Sequence, residues 1–117
     1  MAGRKRGDDH WGEMDGEFAV LLIRALDHEI RRTVLRILAD SGEAMSPVVM
    51  ARMMGVPLSS VSYHVNILKK CGMVEPAGLE QKRGAMEHFY KTLLKKNPVA
   101  RALLESTRKV DDEKDKK

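Results

Sequence analysis

Glycine and proline residues interrupt this 117-residue chain at short intervals, and these interruptions limit every regular element to about a dozen residues. Glycine favours the position after a helix, whereas proline favours the first helical turn. The interrupting positions are Gly42, Ser46-Pro47, Gly55, Val56-Pro57, Gly72 and Asn97-Pro98. The longest apolar run, Phe18–Ile23, is too short to cross a bilayer. The sequence therefore predicts one small domain built from short elements.

Apolar periodicity between these breaks predicts five helices and one β-hairpin. The helices are expected at about Glu17–Ala25, His28–Ala39, 47–54, Leu58–Lys70 and Asn97–Lys109, with Asp27, Ser46 and Asn97 as caps. The strands are expected at Met73–Leu79 and Ala85–Thr92, separated by a loop at 80–84. This order indicates a mainly α fold with a small β-hairpin (α+β), a winged helix-turn-helix with additional N- and C-terminal helices.

Charge is unevenly distributed along the chain. Residues 17–109 contain 15 basic and 9 acidic residues, a balance of +6, whereas each end carries a slight negative excess. We expect a flexible arm at 1–16, a folded domain at 17–110 and a charged, solvated tail at 111–117. A basic middle segment favours a polyanionic partner such as double-stranded DNA.

The segment 58–70 predicts a helix with two different faces. Val61, Val65 and Leu68 form an apolar stripe that should pack on the core. The opposite stripe can form hydrogen bonds and contains no carboxylate; it comprises Ser59, Ser62, Tyr63, Asn66 and Lys70, with Ser60 and His64 beside it. Such a face suits base edges and phosphates, whereas an ordinary solvated face usually includes Asp or Glu. We therefore expect DNA contact here, with His64 either packed or bonded to a phosphate.

Basic residues outside this helix extend the predicted contact surface. The hairpin tip supplies Gln81, Lys82 and Arg83, with Gly84 for the turn. This tip could follow the DNA backbone or place Arg83 in a minor groove, and the alternative is a solvated loop. Phosphate contacts are expected from Arg31, Arg32, Arg52 and Lys69, each of which could instead be ordinary surface charge.

The sequence contains no pattern typical of catalysis or metal binding. A single cysteine, Cys71, excludes an intramolecular disulfide and a multi-cysteine cluster, and is interpreted as a packing residue rather than a reactive thiol. His28 and His88 have no partner at ligand spacing, and no phosphate loop or nucleophile motif is present. We therefore expect no enzyme activity, metal or cofactor, and a cytoplasmic location because no apolar signal segment follows the basic start.

Three runs, Ala25–Arg32, Ser59–Leu68 and Arg83–Tyr90, resemble the ArsR-type winged-helix transcriptional regulators, and are most similar to members common in actinobacteria. The resemblance covers about residues 19–92. It implies a homodimeric repressor that reads a pseudo-palindromic DNA site and is joined through its first and last helices. Apolar positions suited to that seam are Phe18, Leu22, Val99, Leu103 and Val110, although they could instead pack within one monomer.

The chain departs from relatives of this family that sense metals. Its short helix, 47–54, contains no thiol, and its last helix contains no histidine, so metal sensing of that kind is not expected. The identity of any small-molecule effector stays open. Two other classes of function also remain: a winged-helix module that docks a protein partner, and a thiol sensor acting through Cys71.

Overall fold

The computed structural model describes the backbone of residues 16–115 and the side chains of residues 16–113. The predicted N-terminal arm lies outside the described residues, apart from Gly16. The helices are α1 (Gly16–Leu26), α2 (Glu29–Ser41), α3 (Pro47–Met54), α4 (Leu58–Lys70), α5 (Pro98–Ser106) and α6 (Arg108–Asp115). The strands are β1 (Val74–Lys82) and β2 (Ala85–Thr92), and a short 3₁₀ helix spans Leu94–Lys96. The predicted fold class, a winged helix-turn-helix with extra terminal helices, is confirmed.

Local signals placed most helix boundaries correctly. The Ser46 hydroxyl accepts a hydrogen bond from the Val49 N–H at 3.3 Å, and Asn97 caps α5 in the same way. One cap was wrong: His28, not Asp27, caps α2, because its Nδ1 accepts the Ile30 N–H at 3.0 Å. Gly55 ends α3 with φ 70°, a left-handed conformation that lets the chain turn directly into α4.

The hairpin is longer than predicted. β1 and β2 pair antiparallel from Val74↔Thr92 to Lys82↔Ala85, which leaves only Arg83-Gly84 in the turn instead of a loop at 80–84. A register shift between Pro76 and Gly78 adds one residue to β1. Cross-strand pairing therefore extends through residues whose polar composition resembled a loop.

The core lies where α4 packs against its neighbouring helices and the start of β1. Val61, Val65 and Leu68 are buried, as the apolar stripe predicted. Two backbone hydrogen bonds join Met45 to Tyr90, so the segment before α3 is attached to β2. These contacts hold the hairpin and α4 on one side of the same core. No helix within residues 16–115 has the length and apolar character needed to span a membrane.

The C-terminal region differs from the predicted single helix and solvated tail. The helix is interrupted at Thr107, whose hydroxyl bonds to the Leu104 carbonyl and accepts from Arg36 at 2.6 Å. Asp111 is only 4% exposed and forms ion pairs with Arg32 and Arg36 at 2.9 and 2.8 Å. A solvated tail therefore does not begin at residue 111, because this carboxylate fastens α6 to α2.

Candidate nucleic-acid interface

The outer face of α4 is open to solvent and lacks carboxylates. Its predicted contact residues Ser59, Ser62, Tyr63, Asn66 and Lys70 are all exposed. α4 also begins at Leu58 without a side-chain cap bond or an acidic residue in its first turn. The positive end of its helix dipole is therefore not compensated within this element, which favours a nearby anion.

A cleft of about 660 Å³ separates this helix from the hairpin. Five of the predicted contact residues line this cleft, and they come from α3, α4 and the wing, which is the β1–β2 hairpin. They are Arg52, Ser62, Asn66, Lys82 and Arg83. The fold thus gathers cations and hydrogen-bonding groups from three separate segments around one concave surface. The remaining exposed candidates, Ser59, Tyr63, Lys69, Lys70 and Gln81, do not line the cleft, and Ser60 is half-buried.

Sequence patterns did not indicate the apolar and acidic residues of the cleft. Val48, Leu58 and Met86 are exposed apolar residues in its lining, and Glu87 is its carboxylate. The buried Ser46 hydroxyl donates a hydrogen bond to Glu87, and the Lys82 ammonium lies 3.8 Å from the same carboxylate. Ser46 and Glu87 are 41 residues apart, so no local pattern could have indicated this pair.

The wing tip places its most available cation in an unusual backbone conformation. Lys82 pairs with Glu80 at 3.6 Å as well as with Glu87, whereas Arg83 forms no ion pair with any described residue. Arg83 has φ 52° and Gly84 has φ 82°, as a two-residue hairpin turn with the strand twist requires. A left-handed arginine costs on the order of 1 kcal/mol.

Two of the predicted phosphate contacts are either paired or buried within the protein. Arg32 forms a bidentate pair with Asp111, at 2.9 and 3.0 Å, and also donates to the Leu26 carbonyl. Arg31 is only 8% exposed. Arg32 is therefore committed to an internal ion pair and Arg31 is covered, which corrects their assignment as phosphate contacts. Arg52 and Lys69 are exposed, as expected for that role.

His64 is also an interior residue and not part of the open face of α4. It is 8% exposed, and its ring centroid lies 4.2 Å from that of His28. Burial lowers the pKa of His64, and the nearby His28 and Arg31 lower it further. The packed interpretation of His64 is therefore correct, and contact of its ring with a phosphate has no support.

Burial also determines the roles of Cys71 and of Leu22, one of the residues predicted for the dimer seam. Cys71 is buried in the core, and burial raises the pKa of its thiol, which disfavours the reactive thiolate. Leu22 is buried in the core of its own chain, so its assignment to a dimer seam is wrong. Among the described residues, no three His, Cys, Asp or Glu side chains are placed to hold a metal ion.

The seam's other members occupy two environments. Phe18 and Val99 are half-buried against the core, whereas Leu103 and Val110 are exposed. Val20 and Ile23 of α1, which are not among the predicted seam residues, are exposed as well. The outward face of α1 is thus shifted by one to two residues from the one predicted.

Comparison with known proteins agrees with this geometry. Residues 26–77 match a family model described as a helix-turn-helix domain. This match also agrees with the expectation that the chain is not an enzyme. A search among curated proteins found no match.

Several solved structures share the fold. One is the homodimeric winged helix-turn-helix DNA-binding domain of Mb0332 from Mycobacterium bovis, a possible ArsR-family transcriptional regulator. It is 21% identical to this chain, with a TM-score of 0.59, and the alignment covers 97% of this chain and 92% of that one. The transcriptional repressor BigR from Xylella fastidiosa is 16% identical, with a TM-score of 0.60 and coverages of 90% and 96%. The antimony-specific transcriptional repressor AntR is 19% identical, with a TM-score of 0.60 and coverages of 100% and 94%.

Proposed function

We propose that this winged helix-turn-helix chain is an ArsR-type transcriptional regulator, a repressor that binds double-stranded DNA as a homodimer. α4 would enter the major groove, and the β1–β2 wing would contact the backbone or the adjacent minor groove. The names of the similar structures, which include a DNA-binding domain and two transcriptional repressors, support this assignment. We further propose that the chain is most similar to the family members common in actinobacteria and does not sense metals.

The observation that carries the proposal is the composition of the cleft beside α4. Hydrogen-bonding groups of Ser62 and Asn66 lie in one concave surface with the cations of Arg52 and Arg83. Glu87, the carboxylate in its lining, is already bonded to Ser46. A polyanion therefore meets donors and positive charge with little opposing negative charge.

The proposed contact set follows from exposure. Ser62, Asn66, Arg52, Lys82 and Arg83 line the cleft, and Ser59, Ser60, Tyr63, Lys69, Lys70 and Gln81 extend it along α4 and the wing. Arg31, Arg32 and His64 are omitted because they are buried or paired inside the protein. Phosphate contacts would fix the register, while the α4 side chains would read base edges.

Dimerisation is proposed through the outward apolar residues of the terminal helices. Val20 and Ile23 on α1, Leu103 on α5 and Val110 on α6 are each exposed by 43% or more. Exposed apolar side chains of this size favour a partner surface when they are contiguous. Sedimentation of Ile23→Glu should show a monomer, whereas Leu79→Glu on the hairpin should sediment as the wild type does. A monomeric wild type would refute this part of the proposal.

Selection of bound duplexes from a random pool tests the proposed function directly. We expect a two-fold symmetric site whose half-sites are centred about 34 Å apart, one turn of DNA. Fluorescence anisotropy on that site should show affinity falling steeply with salt, because several phosphates are neutralised. Failure to enrich any sequence, together with salt-insensitive binding, would contradict the proposal.

A further inference from the structure

A second cleft opens at the end of α2, between the base of the hairpin and the start of α5. It has a volume of about 240 Å³, and its apolar floor includes the buried side chains of Leu38 and Leu94. Its rim contains the charged residues Glu43, Glu75, Lys91, Lys95, Lys96 and Arg101. This cleft shares no lining residue with the cleft beside α4.

The rim carries an excess of positive charge. Glu75 and Lys91 neutralise each other at 3.3 Å. Lys95, Lys96 and Arg101 form no ion pair with any described residue, and Glu43 is the remaining acid in the lining. Glu105, one turn along α5 from Arg101, interacts with it electrostatically but lies outside the lining. An apolar floor beneath such a rim suits a molecule with an apolar body and a negative group.

From this geometry we infer that the cleft binds a small carboxylate with an aromatic or short aliphatic body. Its volume is about 240 Å³. This is below the ~300–1,000 Å³ range of pockets for drug-sized ligands, so the fitting ligand is smaller than a drug-sized molecule. The apolar body would lie on Leu38 and Leu94, with the carboxylate among the basic side chains.

The position of the cleft connects it with the wing. The lining joins the end of α2, the base of both strands, and the segment 93–96 that leads into α5. The Leu93 N–H bonds to the Met73 carbonyl at 2.9 Å, so this segment is attached directly to the start of β1. Any effect of the carboxylate on DNA affinity rests on the proposed function, but binding of the carboxylate does not.

Amide chemical shifts of the full chain, measured without DNA, test this site with three matched probes: benzoate, benzylamine and benzyl alcohol. We expect saturable shifts clustered at residues 38–43 and 91–96, with benzoate binding at least tenfold more tightly than benzylamine. Benzyl alcohol should fall between them, because it keeps the apolar ring without charge. Absence of saturable shifts, or equal affinity for benzylamine, would overturn the inference.

Two variants separate the two parts of the site. Arg101→Glu reverses one charge of the rim, and Ala39→Leu fills the space above the floor without changing any charge. Each should weaken benzoate binding at least fivefold, whereas Lys109→Glu, outside the lining, should retain it. Unchanged binding in both cleft variants, with dispersed spectra that show folded protein, would refute the site. Because DNA is absent, failure of DNA binding would leave these results intact.

Discussion

The arginines of α2 and those around the α4 cleft have the same chemistry but opposite surroundings. Arg32 and Arg36 converge on the buried carboxylate of Asp111, which joins α2 to α6. Arg52 and Arg83 are exposed and form no ion pair with any described residue. The first pair is committed to holding the protein together, whereas the second pair remains available to a partner. The contrast shows that the surroundings of an arginine, not its presence, indicate its role.

Removing the charge of Asp111 should give the largest effect and tests the internal half of this contrast. Asp111→Asn leaves two guanidinium groups without a counter-charge in a nearly buried site, so the free energy of unfolding should fall by roughly 3 kcal/mol. Urea denaturation at one fixed protein concentration measures this change. Asp112→Asn, at the exposed neighbouring position, is the matched control and should change little. Equal stability of both variants would mean that the α2–α6 ion pairs do not stabilise the fold.

Removing Arg83 tests the other half of this contrast, the arginines that remain available to a partner. Arg83→Ala should reduce affinity for the selected DNA about fivefold, on the order of 1 kcal/mol, and lower the salt dependence, because one phosphate or groove contact is lost. Its urea midpoint should stay near that of the wild type, in contrast to Asp111→Asn. Lys109→Ala removes an exposed cation elsewhere and serves as the control in anisotropy titrations. Unchanged affinity of Arg83→Ala would remove the wing tip from the contact surface.

Arg83→Asn sharpens the comparison, because it should move stability and binding in opposite directions. Asparagine tolerates the left-handed conformation that arginine adopts at φ 52°, so the free energy of unfolding should rise by about 0.5 kcal/mol. The DNA affinity should nevertheless fall as it does for Arg83→Ala. A variant that loses stability would show that the turn conformation of Arg83 carries no strain.

The smallest effect concerns pH and His64. Its lowered pKa means that the unfolded chain binds protons more readily than the folded chain. The contribution of neutral His64 is therefore complete above its ordinary pKa of 6.5 and is lost as the pH falls below that value. The midpoint temperature of thermal unfolding should fall more steeply between pH 7.5 and 5.5 for the wild type than for His64→Gln, which lacks this imidazole. Parallel pH profiles would contradict the buried, neutral assignment.

The parts predicted from sequence are those fixed by neighbouring residues. The limits of α4, its buried stripe and the Ser46-Pro47 start follow from spacings of a few residues. The Arg32–Asp111 pair spans 79 residues, and its partner lies in a run whose charge resembles a solvated tail. Arg32 could not be distinguished from Arg52 without knowing which residue the fold places beside it.

The error in predicting which face of α1 is exposed to solvent had a similar cause. Periodicity identified Phe18 and Leu22 as one apolar stripe, but which stripe the core covers depends on how α1 packs against α2. Burial of Leu22 leaves Val20 and Ile23 outside. The hairpin length was missed because pairing with β2, not local composition, extends β1 to Lys82.

Placing one carboxylate on the open face of α4 tests the central claim most directly. Anisotropy on the selected duplex would compare Ser62→Asp with Ser106→Asp, an exposed serine of α5 outside the cleft. We predict at least a roughly 30-fold loss of affinity for Ser62→Asp alone, because a like charge facing phosphates costs several kcal/mol. Equal, wild-type affinity of both folded variants would contradict the assignment of α4 as the DNA-reading helix.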